Sequence, residues 1–194
     1  MVFTKLIVSL ILLLSIVIYK YVKTPPSLYV KSSVDGKYYL VQDKDDKQLI
    51  ADELATIKKN IKMLVEYMLK NSPDKYKSYI EHLNSKLNSV IITENIKDFK
   101  YTSYSVNKGD ELVFCMRSRN KNKNGERHDF NLIMYVVLHE ISHIACPEYG
   151  HTDLFKDIFQ YITKSAVDIG IYTPIDFERN PTEYCGMIIN ASII

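Results

Sequence analysis

Tryptophan is absent from the 194 residues, and cysteine is scarce, with three in all: Cys115, Cys146 and Cys185. So few thiols exclude a disulfide-dense scaffold, and none has the paired spacing of a structural zinc site. One bridge, Cys146–Cys185, stays open for a domain facing an oxidising compartment. Strong charge is missing as well. A formal net charge of +2 with dispersed lysines leaves no electrostatic footprint for nucleic acid, and no nucleic-acid partner is expected. Internal repeats and low-complexity tracts are absent. Beyond a stretch near the amino terminus no apolar run is long enough for a membrane, and the remaining ~170 residues suffice for one domain with a proper core.

That stretch, residues 6–19, is uncharged and apolar; with Val2 and Phe3 counted around Lys5 it reaches about seventeen residues, the short limit for a spanning helix. The bulky, basic segment 19–26 that follows offers no small-x-small cleavage site, which favours an uncleaved anchor over a signal peptide. Residues 1–22 are therefore expected to form a transmembrane helix and to give a single-pass membrane location. Lys20, Lys23, Lys31 and Lys37 outnumber Lys5, which by the positive-inside rule keeps the domain cytosolic. Short signal anchors can break that rule, so the side of the membrane is left open.

Thr24-Pro-Pro-Ser reads as a stiff spacer. Strands around Asp35-Gly36 predict a hairpin with a type I′ turn. Apolar residues from Leu49 to Leu69 recur at spacings of three and four and predict a helix over 46–70. A second helix follows Ser72-Pro-Asp through Leu87 and carries His82, read as a surface residue. Strands at 90–93, 101–106 and 111–118 place a hairpin before the next helix, with Leu112–Met116 as an edge for an extended peptide. Helix 152–169 and a Pro-interrupted tail that packs on the domain complete the chain.

Between these lies Leu132–His143, an apolar run that reads as a buried helix. His139 and His143 fall one turn apart on one face, and Glu140 sits about 100° further round. Two neutral imidazoles at this spacing can share one metal ion, with the carboxylate beside it as a general base. His151 supplies a third ligand, and three protein ligands with an open position describe a catalytic zinc (Zn2+), not a structural one. Cys146 as a fourth ligand would close the site. Glu178 and Glu183 on the tail are the rivals of His151. Such a centre hydrolyses amides, with Glu140 taking a proton from water and passing it to the leaving amine. Tyr149, Tyr161, Tyr172 and Tyr184 are candidate oxyanion donors.

The motif His139-Glu-x-x-His143 with His151-Thr-Asp-Leu-Phe155 resembles the small SprT/WLM-type zinc metallopeptidases over residues 130–160. A wider likeness, over 28–190, is to uncharacterised membrane-anchored metallopeptidases of giant DNA viruses. Seven residues separate His143 from His151, where the SprT/WLM pattern commonly has five or many more. The resemblance implies His139, His143 and His151 as ligands, Glu140 as base and a peptide or protein as substrate. The expected architecture is α+β: a transmembrane helix (1–22), a linker and hairpin (23–47), and a zincin-like domain (48–194) whose active-site helix packs on a small antiparallel sheet. The alternative is a non-catalytic membrane or virion protein with a structural zinc site.

Overall fold

Helix α1 (residues 6–15) is the first element of the computed structural model, which describes residues 6–15, 26–96, 101–120, 122 and 125–194. At ~1.5 Å per residue its ten described residues rise about 15 Å, half of the ~30 Å hydrocarbon core of a bilayer. No helix among the described residues is long and apolar enough to cross a membrane. The expected transmembrane helix over 1–22 is overturned, and with it the single-pass membrane location. Residues 1–5 and 16–22 of that stretch lie outside the described residues.

Strands β1 (Ser27–Lys31) and β2 (Tyr38–Gln42) pair antiparallel, with Lys31 opposite Tyr38. Their connection is wider than the two-residue turn expected at Asp35-Gly36. Ser32 N–H donates to the Lys37 carbonyl, Gly36 N–H donates to the Ser32 carbonyl, and Gly36 takes φ of +71°. Tyr39 and Val41 face the core against α2 (Lys47–Asn71), whose Ile50, Leu54, Ile57, Ile61, Leu64, Val65 and Met68 are buried. Leu49 and Leu69, counted with that stripe from the sequence, are exposed. Helix α3 (Asp74–Leu87) follows and packs on α2 and α4.

The central sheet is β3 (Ile91–Glu94), β4 (Tyr104–Val106) and β5 (Glu111–Phe114), in the order β3-β5-β4. Strand β3 runs parallel to β5 and β4 runs antiparallel to it. The sheet is therefore mixed, not antiparallel, and its middle strand is β5. Leu112–Met116 does not form the expected edge; β4 does. Two helices follow, α4 (Phe130–Ala145) and α5 (Asp153–Asp168), packed on each other. The tail forms a hairpin of β6 (Thr182–Tyr184) and β7 (Met187–Ile189), turning at Cys185 (φ +51°) and Gly186 (φ +86°). Two successive central residues with positive φ fit the type I′ class of hairpin turn. Its bend brings Cys185 to Cys115, so the disulfide is Cys115–Cys185; Cys146 is buried and free.

A buried charge cluster joins these layers. Glu94, fully buried, accepts from Arg117 Nε at 2.9 Å and from Gln42 N–H at 2.7 Å, and Arg117 also pairs with Asp46 at the start of α2. Burial pushes the Glu94 carboxyl up, against the pull of Arg117. Removing one partner would leave a carboxylate buried without its counter-charge, a loss of about 3–5 kcal/mol. Arg117→Ala should lower the unfolding free energy by that amount in urea denaturation followed by circular dichroism. A change within ~0.5 kcal/mol, ordinary for surface substitutions, would contradict this role.

Candidate metal centre

Asp129 begins the centre by capping α4, its carboxylate accepting from the N–H groups of Asn131 and Leu132 at 2.9 and 3.1 Å. The helix then buries nearly its whole surface; Leu132 to Leu138, Ile141, Ser142, Ile144 and Ala145 are all in the core. His139 and His143 emerge on the less enclosed side. The helix stops where Pro147 cannot continue it, and Gly150 at φ +83° turns the chain back. Thr152 caps α5, its hydroxyl accepting from Phe155 N–H at 3.3 Å. His151 is thereby held at a helix entrance.

The three imidazoles meet. Nε2 of His139 lies 3.1 Å from Nε2 of His143 and of His151, and the last two are 3.2 Å apart. Three nitrogens bound to one tetrahedral ion at 2.0–2.1 Å would be separated by about 3.3 Å. The donor set therefore fits a zinc-sized ion. Phe155 stacks on His143, ring centroids 4.1 Å apart, and meets His139 edge-on. Phe159 is also edge-on to His139. Burial, then the charges of neighbouring imidazoles, hold His139 down to about 3; burial, His151 and Lys108 hold His143 down to about 4. Both rings are neutral at ordinary pH, as metal ligands must be.

Glu140 is 7 % exposed, and burial pushes its carboxyl up to about 7, opposed by a hydrogen bond from the backbone N–H of Ser105 on β4. Glu140 therefore sits between the metal helix and the free edge of the sheet. Beside it opens a cleft of about 880 Å³ whose lining includes Tyr104, Ser105, Lys108, Glu140, Tyr149 and the three histidines. His82 reaches its rim from α3.

Lys108 was not singled out from the sequence. It lies in a turn where Asn107 and Lys108 both have positive φ. Its ammonium donates to the carbonyls of Cys146, Pro147 and Glu148 at 2.9, 3.0 and 3.2 Å and lies 4.3 Å from the Tyr149 ring centroid. One cation thus bonds the C-cap carbonyl of α4 and the next two carbonyls and pins the loop that delivers His151. No sequence signal marks this lysine apart from its turn.

The remaining candidates are dispersed. Cys146 is buried and outside the histidine group. Glu183 accepts from Ser118 Oγ and Gly186 N–H, and Glu178 is exposed; neither belongs to the group. Tyr184 is buried with its hydroxyl on Ser103, Tyr161 stacks on Tyr76, and Tyr172 is buried. Of the four tyrosines, only Tyr149 lines the cleft, while Tyr101 and Tyr104, passed over in the sequence, line it from the sheet side.

No family model and no solved structure matches the chain. Two partial relatives are the uncharacterized protein 042R of Invertebrate iridescent virus 3, 35% identical over 104 residues (52% of this chain, 60% of that one), and the uncharacterized protein 136R of Invertebrate iridescent virus 6, 34% identical over 70 residues (36% and 38%). Over 198 residues the chain is 43% identical to the uncharacterized protein R325 of Acanthamoeba polyphaga mimivirus, with 98% of each chain covered. At that identity and coverage, the protein belongs to the family of the mimivirus protein R325.

Proposed function

We propose that the protein is a zinc-dependent metallopeptidase in which His139, His143 and His151 hold the ion and Glu140 is the general base. The observation that carries this reading is the triangle of three Nε2 atoms at 3.1–3.2 Å with a buried carboxylate on the same helix and a cleft beside both. The likeness of residues 130–160 to SprT/WLM-type peptidases supports the same chemistry.

When bound, zinc supplies Lewis acidity toward a carbonyl and acidifies water. The chain supplies the rest. Glu140, with its carboxyl raised to about 7 by burial, can take a proton near neutral pH and return it to a leaving amine. Ser105 N–H orients that carboxylate. Tyr149, Tyr104 and Tyr101 bring phenol hydroxyls to the cleft and can serve a developing oxyanion. Strand β4 is the edge of the sheet that lines the cleft beside the three histidines, where an extended peptide can lie.

Glu140→Gln should abolish peptide hydrolysis while zinc content and melting temperature stay at the wild-type level, since Glu140 is not a ligand. Turnover at the wild-type rate in that variant, with a peptide library as substrate, would end the assignment.

Zinc analysis after dialysis tests the third ligand. His151→Ala should lose stoichiometric zinc, and Glu178→Ala and Glu183→Ala should keep it; the reverse pattern would make a tail glutamate the ligand.

Lys108 acts one step further out. Lys108→Met should weaken zinc binding by roughly tenfold, the low end for a partner that orients ligands, with helical content unchanged. Unaltered affinity would show that the loop holds His151 without it.

A further inference from the structure

We propose that Cys115, His128 and Cys185, when the two cysteines are reduced, form a second metal site for a thiophilic ion such as zinc. Their ligand atoms all lie within 4.8 Å of one another. All three residues are buried, at 4 %, 5 % and 5 % exposure. They come from three separate places: the end of β5, the residue just before the Asp129 cap of α4, and the turn between β6 and β7.

The chemistry of His128 points to a ligand. Its Nε2 accepts the backbone N–H of Cys185 at 3.2 Å and lies 3.3 Å from Cys185 Sγ. An accepting Nε2 has a lone pair and keeps its proton on the far nitrogen, the tautomer that binds metal; an ion among the three residues would take that lone pair over from the Cys185 amide. Bonds of ~2.3 Å to sulfur and ~2.0–2.1 Å to nitrogen in a tetrahedral site would place the two atoms about 3.6 Å apart. The Cα atoms of Cys115 and Cys185 are 6.4 Å apart, so side-chain rotation suffices to open the pair without moving either strand. Two thiolates and a divalent ion form a neutral unit, which a buried site tolerates where free thiolates would not.

Bridge and metal exclude each other. A dithiol reductant opens the disulfide by two exchange steps, passing two electrons and two protons to the cysteines and leaving as its own cyclic disulfide. Both sulfurs lie close to the Arg117 carbonyl, at 3.3 and 3.2 Å, which can accept from either thiol. The entering ion then displaces one proton from each thiol and takes the lone pair of His128. Among the described residues the group contains no fourth His, Cys, Asp or Glu. In the oxidised state a covalent bond joins the end of β5 to the tail; in the metal-bound state an ion joins the same two segments and also holds the entrance of α4.

Cobalt(II) titration of the full chain tests this. Dithiol-reduced, anaerobic protein should show thiolate-to-cobalt charge-transfer absorption that is complete once both this site and the histidine centre are filled, by two equivalents of cobalt, and the oxidised protein should show none. The readout is independent of the all-histidine centre, which contains no sulfur, so failure of either site is seen separately. Cys185→Ser should remove the band. His128→Ala, which keeps both cysteines, should weaken this binding by more than the ~10–100-fold that loss of an outer partner costs. Where a variant does not fold, wild-type protein decides: cobalt should protect Cys115 and Cys185 from iodoacetamide, mapped by peptide mass. Absence of the band in reduced wild type, unchanged affinity in His128→Ala, or equal alkylation with and without cobalt would each overturn the proposal.

Discussion

Two imidazoles one helical turn apart converge on a common point only while the helix beneath them is fixed in rotation. In α4 that constraint comes from burial. Ile133, Val137, Leu138, Ile141, Ile144 and Ala145 are essentially inaccessible, and α3, α5, β4 and β5 all pack on the helix. A small axial rotation would carry His139 and His143 off their shared direction and force a dozen core side chains out of register, in an interior too dense to yield. The placement of Glu140 and the fit of His151 both follow from this locked helix.

Around it the polar groups are arranged as supports. Lys108 ends α4 electrostatically, Asp129 starts it, and the Ser105 amide reaches across from the sheet to Glu140. Arg117, Glu94 and Asp46 do similar work in the layer behind, joining β2, β3 and α2 through charge-assisted bonds. Phe155 and Phe159 cover the histidines with apolar edges and faces. Such a shell holds the three imidazoles in the orientation that a metal ion would require of them.

Local signals carried much of this. The spacing of His139 and His143, Thr152 as cap, the apolar stripes of α2 and α5, and the bend at Tyr184-Cys185-Gly186 are legible because each is decided within a few residues. The same logic misplaced the type I′ turn at Asp35-Gly36, where Asp35 spends its carboxylate on Lys37 N–H and the Tyr39 hydroxyl and a longer loop forms. Contacts between distant segments left no trace in one sequence. The parallel pairing of β3 with β5, which makes β4 the edge, is of this kind, as is the pairing of Cys115 with Cys185 across 70 residues.

The Ser105 amide also limits what the edge of the sheet can bind. Strand β4 runs only from Tyr104 to Val106, and the N–H at its centre is already committed to Glu140. An extended chain laid along this edge finds little main-chain ladder to join, so the register and affinity that longer edges provide through repeated backbone bonds are scarce here. Under the peptidase reading, discrimination between one peptide and another then falls to side chains meeting the wall of the cleft, with its tyrosines and Lys86, His82 and Glu148. Selectivity of that kind is sequence-dependent and can be altered one wall residue at a time, without touching the histidines.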